Sequence, residues 1–364
     1  MSKLRAVLIG ATGLAGQQFI AALQNHPFIE LTGLAASPRS AGKPYAEALR
    51  TANGMTAWFV PEPLSADLAR MPVVSGDDVK GKDYDIAFSA VESDVAKELE
   101  PRLAKDIPVF SAASAFRYEA DVPLLIPPVN AAHAPLVREQ QRRRGYKGFI
   151  VPIPNCTTTG LAISLAPLAE RFGVKAVLMT SLQAMSGAGR SPGVIGLDIL
   201  DNVIPFIPKE EGKVEVETKK ILGALQADAT AITSHEVKVS CTCTRVAVLE
   251  GHTESVFVSL GKKATVAEVV AAMREWKGAE VSRGLPSAPP QGRWIEVLDD
   301  PFRPQPRLDR DTHGGMATTV GRVREDGVLE NGFKYVLVSH NTKMGAAKGA
   351  ILVAELMKAQ GLLG

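Results

Sequence analysis

The stretch Leu4–Gly16, LRAVLIGATGLAG, decides the fold. Leu4–Ile9 is an apolar run of strand length, glycines follow at 10, 13 and 16, and a helical spacing of apolar residues then begins at Phe19, Ile20 and Leu23. That pattern stops at Asn25, His26 and Pro27, and a second apolar run occupies Ile29–Ala36. Strand, glycine turn, helix and strand make a βαβ unit. Glycine at the strand end permits a tight turn, and the helix start offers amide N–H groups and a positive dipole end to a pyrophosphate. The spacing is GxxGxxG rather than GxGxxG, so the inference of nucleotide binding rests on the motif's place between strand and helix. Gly10, Thr12, Gly13, Leu14, Ala15 and Gly16 form the candidate phosphate cradle.

Outward from this unit the pattern recurs. Asp85–Ala90 reads as a strand, 94–104 as a helix, and Ile107–Phe110 and Gly148–Ile153 as further strands. The expected architecture is a Rossmann-like, doubly wound parallel sheet. Beyond it the character changes. NCTTTG runs into a helical stretch with Leu161, Leu165 and Leu168, and strands are expected at Val174–Leu182, Ile232–Cys241, Glu254–Leu260, Met316–Val323 and Phe333–Val338. Helices are expected near 194–204, 214–225 and 266–276, the last opened by a capping box at Thr265 and Glu268. Such a run of strands implies a second, α+β domain with a mainly antiparallel sheet covered on one face. The domains are placed at 1–155 and 156–340, with a small-residue C-terminal helix over 341–360 packing back on the first. The proline-rich region 283–310 reads as a long surface connection.

The 364 residues are 46% hydrophobic and 22% charged, enough to bury a large core in two domains. A formal net charge of +2 leaves no electrostatic footprint for nucleic acid or an anionic membrane surface. No apolar run reaches the length of a membrane span, and MSKLRAVLIG reads as a charged strand opening rather than a signal peptide, so a cytoplasmic protein is expected.

Three cysteines, Cys156, Cys241 and Cys243, are too few for a disulfide framework and point to free thiols. Cys156 lies at the domain junction and at a helix start, where a lowered pKa near 6 would make it mostly thiolate. Cys241 and Cys243 alternate with threonines on a strand; a CxC without a second cluster is poor evidence for metal, and they read as core filler. No metal site is expected. A thiol nucleophile needs a base, and His252 leads modestly among six histidines. After the second strand, where an acid would hold a ribose 2′-hydroxyl, Ser37, Arg39, Ser40 and Lys43 offer hydroxyls and positive charge, which suits the 2′-phosphate of NADP.

Several segments in order, GATGLAG, SAASAFR (Ser111–Arg117), PIPNCTTTG (Pro152–Gly160), LQAMSGAGRSPG (Leu182–Gly193), EEGK (Glu210–Lys213), RVAVLEGHTE (Arg245–Glu254) and HNTKMGAAKGA (His340–Ala350), make the chain resemble aspartate-semialdehyde dehydrogenases, most closely their fungal and archaeal branch. The resemblance implies NADPH-dependent reduction of L-aspartyl-4-phosphate to L-aspartate-4-semialdehyde and phosphate, in the biosynthesis of lysine, threonine, methionine and isoleucine. It implies Cys156 as nucleophile, His252 as acid/base, Arg245 on the substrate carboxylate, Glu210 on its ammonium, and Lys213 and Arg117 on phosphate. Asn155 and Gln183 belong to the same pocket, and Ser186, Gly187, Ala188, Gly189 and Asn341 lie near the nicotinamide. Glu211 is an alternative to Glu210. The resemblance also implies a homodimer or homotetramer.

Malonyl-CoA reductase shares this thioester and hydride logic, but its substrate lacks an ammonium for Glu210. A cysteine hydrolase or acyl transferase on a nucleotide-binding scaffold, and a non-catalytic NADP sensor, are the readings from other classes.

Overall fold

A computed structural model describes residues 3–188 and 198–363. The first sheet comprises β1 (Leu4–Ile9), β2 (Ile29–Ala36), β3 (Val73–Ser75), β4 (Ile86–Ser89), β5 (Val109–Ser111) and β6 (Ile150–Pro152). They run parallel in the order β3-β2-β1-β4-β5-β6. Alternate side chains feed two cores. Leu8, Leu34, Phe88, Phe110 and Phe149 pack on one face, and Val7, Ile9, Ala35, Ala87 and Val109 on the other. Burial on both faces is why these strands read as unbroken apolar runs.

The longer helices are α1 (Leu14–Leu23), α2 (Ser93–Ala104), α3 (Leu136–Arg144), α4 (Cys156–Phe172), α5 (Glu210–Ile221), α6 (Val266–Glu275) and α7 (Ala347–Ala359). α1 and the returning α7 cover one face of the first sheet, and α2 covers the other. The C-terminal helix is thus shorter than the expected 341–360, because residues 341–346 turn tightly before it.

The second sheet holds β7 (Val174–Gln183), β8 (Val203–Ile204), β11 (Lys238–Val246), β12 (His252–Leu260), β13 (Ile295–Leu298), β14 (Thr318–Asp326) and β15 (Gly332–Ser339), while β9 (Ala224–Leu225) and β10 (Ile232–Thr233) pair as a separate antiparallel ribbon. Its order is β13-β14-β15-β12-β7-β11-β8, with antiparallel pairs predominating and parallel pairs at β13–β14 and β7–β11. One face packs on α4 and α6 through Leu165, Leu168, Val258, Val269 and Phe333. β7 alternates buried and exposed positions, leaving Leu178 and Leu182 on the uncovered face.

Four local expectations are corrected. The strand expected over Ile232–Cys241 is two strands, β10 and β11, separated by an irregular segment at 234–237. The helix expected near 214–225 starts at Glu210 and ends at Ile221, and the helix expected near 194–204 includes Val203–Ile204, which pair with β11 as a strand, while 194–197 lie outside the described residues. The region 283–310 is not wholly a surface connection: Trp294 is fully buried and 295–298 form an edge strand, so tertiary packing overrides the proline signal.

Candidate active site

Strand register assembles the centre of the site. Arg245 of β11 lies opposite Gln183 of β7, and His252 of β12 lies opposite Ser339 of β15; Thr253 faces Leu182, which brings His252 beside Gln183. Arg245, Gln183, His252 and Ser339 therefore form one buried polar row at the end of the sheet. The spacing of seven between Arg245 and His252 has a structural reason. β7 lies between their strands, and residues 247–251 carry the chain across its end.

Helix α4 brings the thiol to this row. Asn155 caps the helix by accepting hydrogen bonds from the amides of Thr157 (3.0 Å) and Thr158 (3.2 Å), which places Cys156 at the first helical position. Cys156 Sγ lies 3.1 Å from His252 Nε2. The amide of Ala184 donates to His252 Nδ1 (3.0 Å), so a neutral ring carries its hydrogen on Nε2 and directs it at the sulfur. The carbonyl of the same residue accepts from Arg245 Nη1 (2.8 Å), so Ala184 orients both side chains.

Burial pushes the His252 imidazole down to about 3, with Arg245 and His340 adding to the effect. Burial, with the Glu210 carboxylate adding to it, pushes the Cys156 thiol up to about 12 against the opposing influence of Arg245, Arg117 and the Thr157 amide. The resting pair is a neutral thiol and a neutral imidazole. The expected thiolate near pH 7 is corrected: at this helix start, desolvation outweighs the dipole and the two guanidinium groups.

Charged groups surround the thiol in a cleft of about 950 Å³ between the two sheets. Glu210, at the start of α5, accepts from Asn155 Nδ2 (2.7 Å) and pairs with Lys213 (3.1 Å). Glu211 instead accepts from the Cys243 amide (3.0 Å) and faces β11, so Glu210 is the carboxylate in the cleft. Arg117 also lines it, buried and paired with Glu217. Gln183 lies in the polar row and donates to Ser181 Oγ (3.2 Å). Cys241 is half-buried and Cys243 buried, and both thiols are free. Among the described residues no group of three His, Cys, Asp or Glu side chains is placed to hold a metal.

The same cleft continues over the glycine turn. Gly10 has φ +82°, and a Cβ there would run into the Ala90 carbonyl, so the turn requires glycine. Thr12, Gly13, Leu14 and Ala15 line the cleft at the start of α1, whose first turn holds no acid, and Ser93 and Ser114 face them. Such a cradle fits a dinucleotide pyrophosphate. Gly16 lies beneath, against Gly10 and Ala11. Ser186, Gly187, Ala188 and Asn341 line the cleft, with Asn341 Nδ2 donating to Ser186 Oγ (2.8 Å). Gly189 lies outside the described residues. Ser37, Arg39, Ser40 and Lys43 sit in the turn beyond β2 and are not among the cleft's lining residues.

Three contributors escaped the sequence reading. Ala184 acts through its backbone, which carries no residue-type signal. Gly345 packs against Cys156: a Cβ there would lie 2.8 Å from Cys156 Cβ. Glu217 is the third, and its only sequence signal is its spacing of seven and four from Glu210 and Lys213 on one helix.

A parallel sheet with a glycine turn at its first strand, a cysteine–histidine pair at its junction with a second sheet, and cationic groups around the thiol fit a dinucleotide-dependent oxidoreductase. Two family models match: "Semialdehyde dehydrogenase, NAD binding domain" over residues 5–136, and "Semialdehyde dehydrogenase, dimerisation domain" over 165–344. The aspartate-semialdehyde dehydrogenase of Methanothermobacter thermautotrophicus is 47% identical over 96% of this chain and 97% of its own. That of Candida albicans is 43% identical over the whole of both. A crystal structure of the Candida albicans enzyme with NADP superposes with a TM-score of 0.88 at 41% identity, covering 99% of each chain. The chain belongs to the aspartate-semialdehyde dehydrogenase family.

Proposed function

We propose that the protein reduces L-aspartyl-4-phosphate to L-aspartate-4-semialdehyde with NADPH, through a thioester on Cys156. The observation that carries this reading is the Cys156–His252 pair, 3.1 Å apart, with Cys156 lining one cleft together with Arg245, Glu210, Lys213 and Arg117 and His252 buried behind it. This set matches each charge of the substrate. Arg245 offers a planar fork to the α-carboxylate, Glu210 balances the ammonium, and Arg117 with Lys213 takes the phosphate.

Docking of the ammonium on Glu210 cancels the carboxylate charge that helps hold the thiol protonated. Cys156 Sγ then attacks the acyl carbon, the bond from that carbon to the phosphate oxygen breaks, and the thiol proton leaves with phosphate as hydrogen phosphate. The Nε2–H of His252 points at the reacting centre and stabilises the oxyanion formed there. Bound NADPH supplies the hydride that reduces the thioester. The resulting alkoxide takes a proton from water beside His252; the carbon–sulfur bond then breaks as the hydroxyl proton passes by way of His252 to the sulfur, leaving aldehyde and the neutral thiol.

Residues 1–155 act as the nucleotide-binding unit and 156–340 as the catalytic unit. The uncovered sheet face bearing Leu178 and Leu182, within the span matched by a dimerisation-domain model, supports a homodimer or a dimer of dimers, which sedimentation velocity tests. Among the described residues no helix is long and apolar enough to cross a membrane, which is compatible with work in the cytoplasm. Steady-state assays with NADPH decide the substrate: turnover of aspartyl phosphate is expected, and turnover of malonyl-CoA without it would overturn the reading.

A further inference from the structure

Glu217 is fully buried in α5, on the helix face that also carries Glu210 and Lys213. Its Oε1 accepts from Arg117 Nη1 (3.0 Å) and from the Tyr118 hydroxyl (3.2 Å). Its Oε2 accepts from the backbone amide of Asn155 (2.6 Å), the residue before the nucleophile. One carboxylate from the second unit thus holds two pieces of the first: the guanidinium proposed for phosphate and the peptide that leads into Cys156.

The guanidinium is set by two hydrogen bonds. Nη1 is held by Glu217, Nη2 donates to the Ala112 carbonyl (3.1 Å), and the buried Nε has no partner among the described residues. Arg117 lines the cleft, and the two hydrogen bonds use only two of the guanidinium's five N–H donors, so this fixed orientation leaves hydrogen-bonding capacity for an anion. On the other side, Asn155 passes the constraint to the thiol, since its side chain caps α4 and bonds to Glu210.

We propose that Glu217 is a positioning residue that sets the phosphate-holding guanidinium of Arg117 in register with the peptide carrying Cys156. The proposal rests on the function proposed above. Glutamine has one acceptor oxygen where Glu217 uses two, so Glu217→Gln cannot satisfy both Arg117 and the Asn155 amide. Loss of a charge-assisted hydrogen bond of this kind corresponds to about a tenfold to hundredfold change in affinity.

The test runs the reaction backward, from semialdehyde, inorganic phosphate and NADP, and in parallel measures how well inorganic phosphate protects Cys156 from iodoacetamide. In Glu217→Gln, the KM for phosphate and the half-protecting phosphate concentration should both rise about tenfold or more, while the KM for semialdehyde moves less than about threefold. Tyr118→Phe, at a half-exposed position, should shift the phosphate terms in the same direction by about twofold to fivefold. Glu217→Asp, which keeps both oxygens, should recover part of the phosphate affinity lost in Glu217→Ala. Phosphate constants unchanged in Glu217→Gln, or both KM values rising together with a fallen melting temperature, would overturn the proposal. A wild-type protein inactive on semialdehyde yet protected by phosphate in a Glu217-dependent way would instead overturn the substrate reading alone.

Discussion

The two halves of the cleft are built from different materials. The nucleotide side is made of backbone: a glycine turn, the start of α1 and small residues opposite. The thiol side is made of side chains, most of them buried, drawn from α4, α5, β7, β11 and β12 and held at fixed distances by strand register and one helix cap. The core of a backbone site, here the glycine turn and helix start, comes from one continuous stretch of sequence. A side-chain site needs the whole second sheet in register, and each of its charges carries a desolvation cost that a partner or a substrate must offset.

Substitutions separate the halves. The largest effect is expected from Cys156→Ala, which should abolish turnover, a loss of about 10⁴-fold or more, while NADPH titration gives a Kd within about twofold of wild type. His252→Ala should cost about 10²–10⁴ in kcat, again without weakening NADPH. Gly10→Ala attacks the other half: a left-handed turn and a clash with the Ala90 carbonyl should weaken NADPH by about tenfold to a hundredfold, with the alkylation rate of Cys156 in the apoprotein unchanged.

The smallest effect concerns Glu254, one row behind His252. It is fully buried, neither oxygen finds a hydrogen-bond partner among the described residues, and burial raises its pKa well above the usual carboxylate range. The fold therefore holds its proton to higher pH than the unfolded chain, which ionises it above about pH 4.3. Its contribution to stability is thus lost as pH rises above that value. Glu254→Gln should keep turnover within about threefold, and its melting temperature should gain on wild type between pH 5 and pH 8. His252 has the opposite sign. Its imidazole stays neutral down to about pH 3, so stability declines as pH falls below about 6.5, where the unfolded chain takes up the proton.

The same contrast explains what could be read from the chain. The βαβ start, the longer strands of both sheets and the capping box at Thr265 and Glu268 were legible because each is a local pattern with a local cause, whereas the short strands β3, β8 and β13 were not. The named motifs also pointed at Cys156, His252, Arg245 and Glu210. Distance was not legible: nothing in the spacing of 96 residues brings His252 within 3.1 Å of Cys156, and that follows only once α4 packs on the second sheet with its first turn at the start of β12. Protonation was not legible either, because the expected thiolate depends on a helix dipole that sequence shows and on a depth of burial that it does not. Ala184 and Gly345 act through backbone position and closeness, which residue identity reports weakly.

The central claim is that Cys156 carries the acyl group. Rapid mixing of the protein with L-aspartyl-4-phosphate in the absence of NADPH, acid quench and peptide mass spectrometry tests it directly. An aspartyl adduct on the peptide containing Cys156, absent from Cys241 and Cys243 and discharged when NADPH is added before the quench, is the predicted result. Turnover with no adduct at Cys156, or an adduct on another residue that NADPH discharges, would contradict the account.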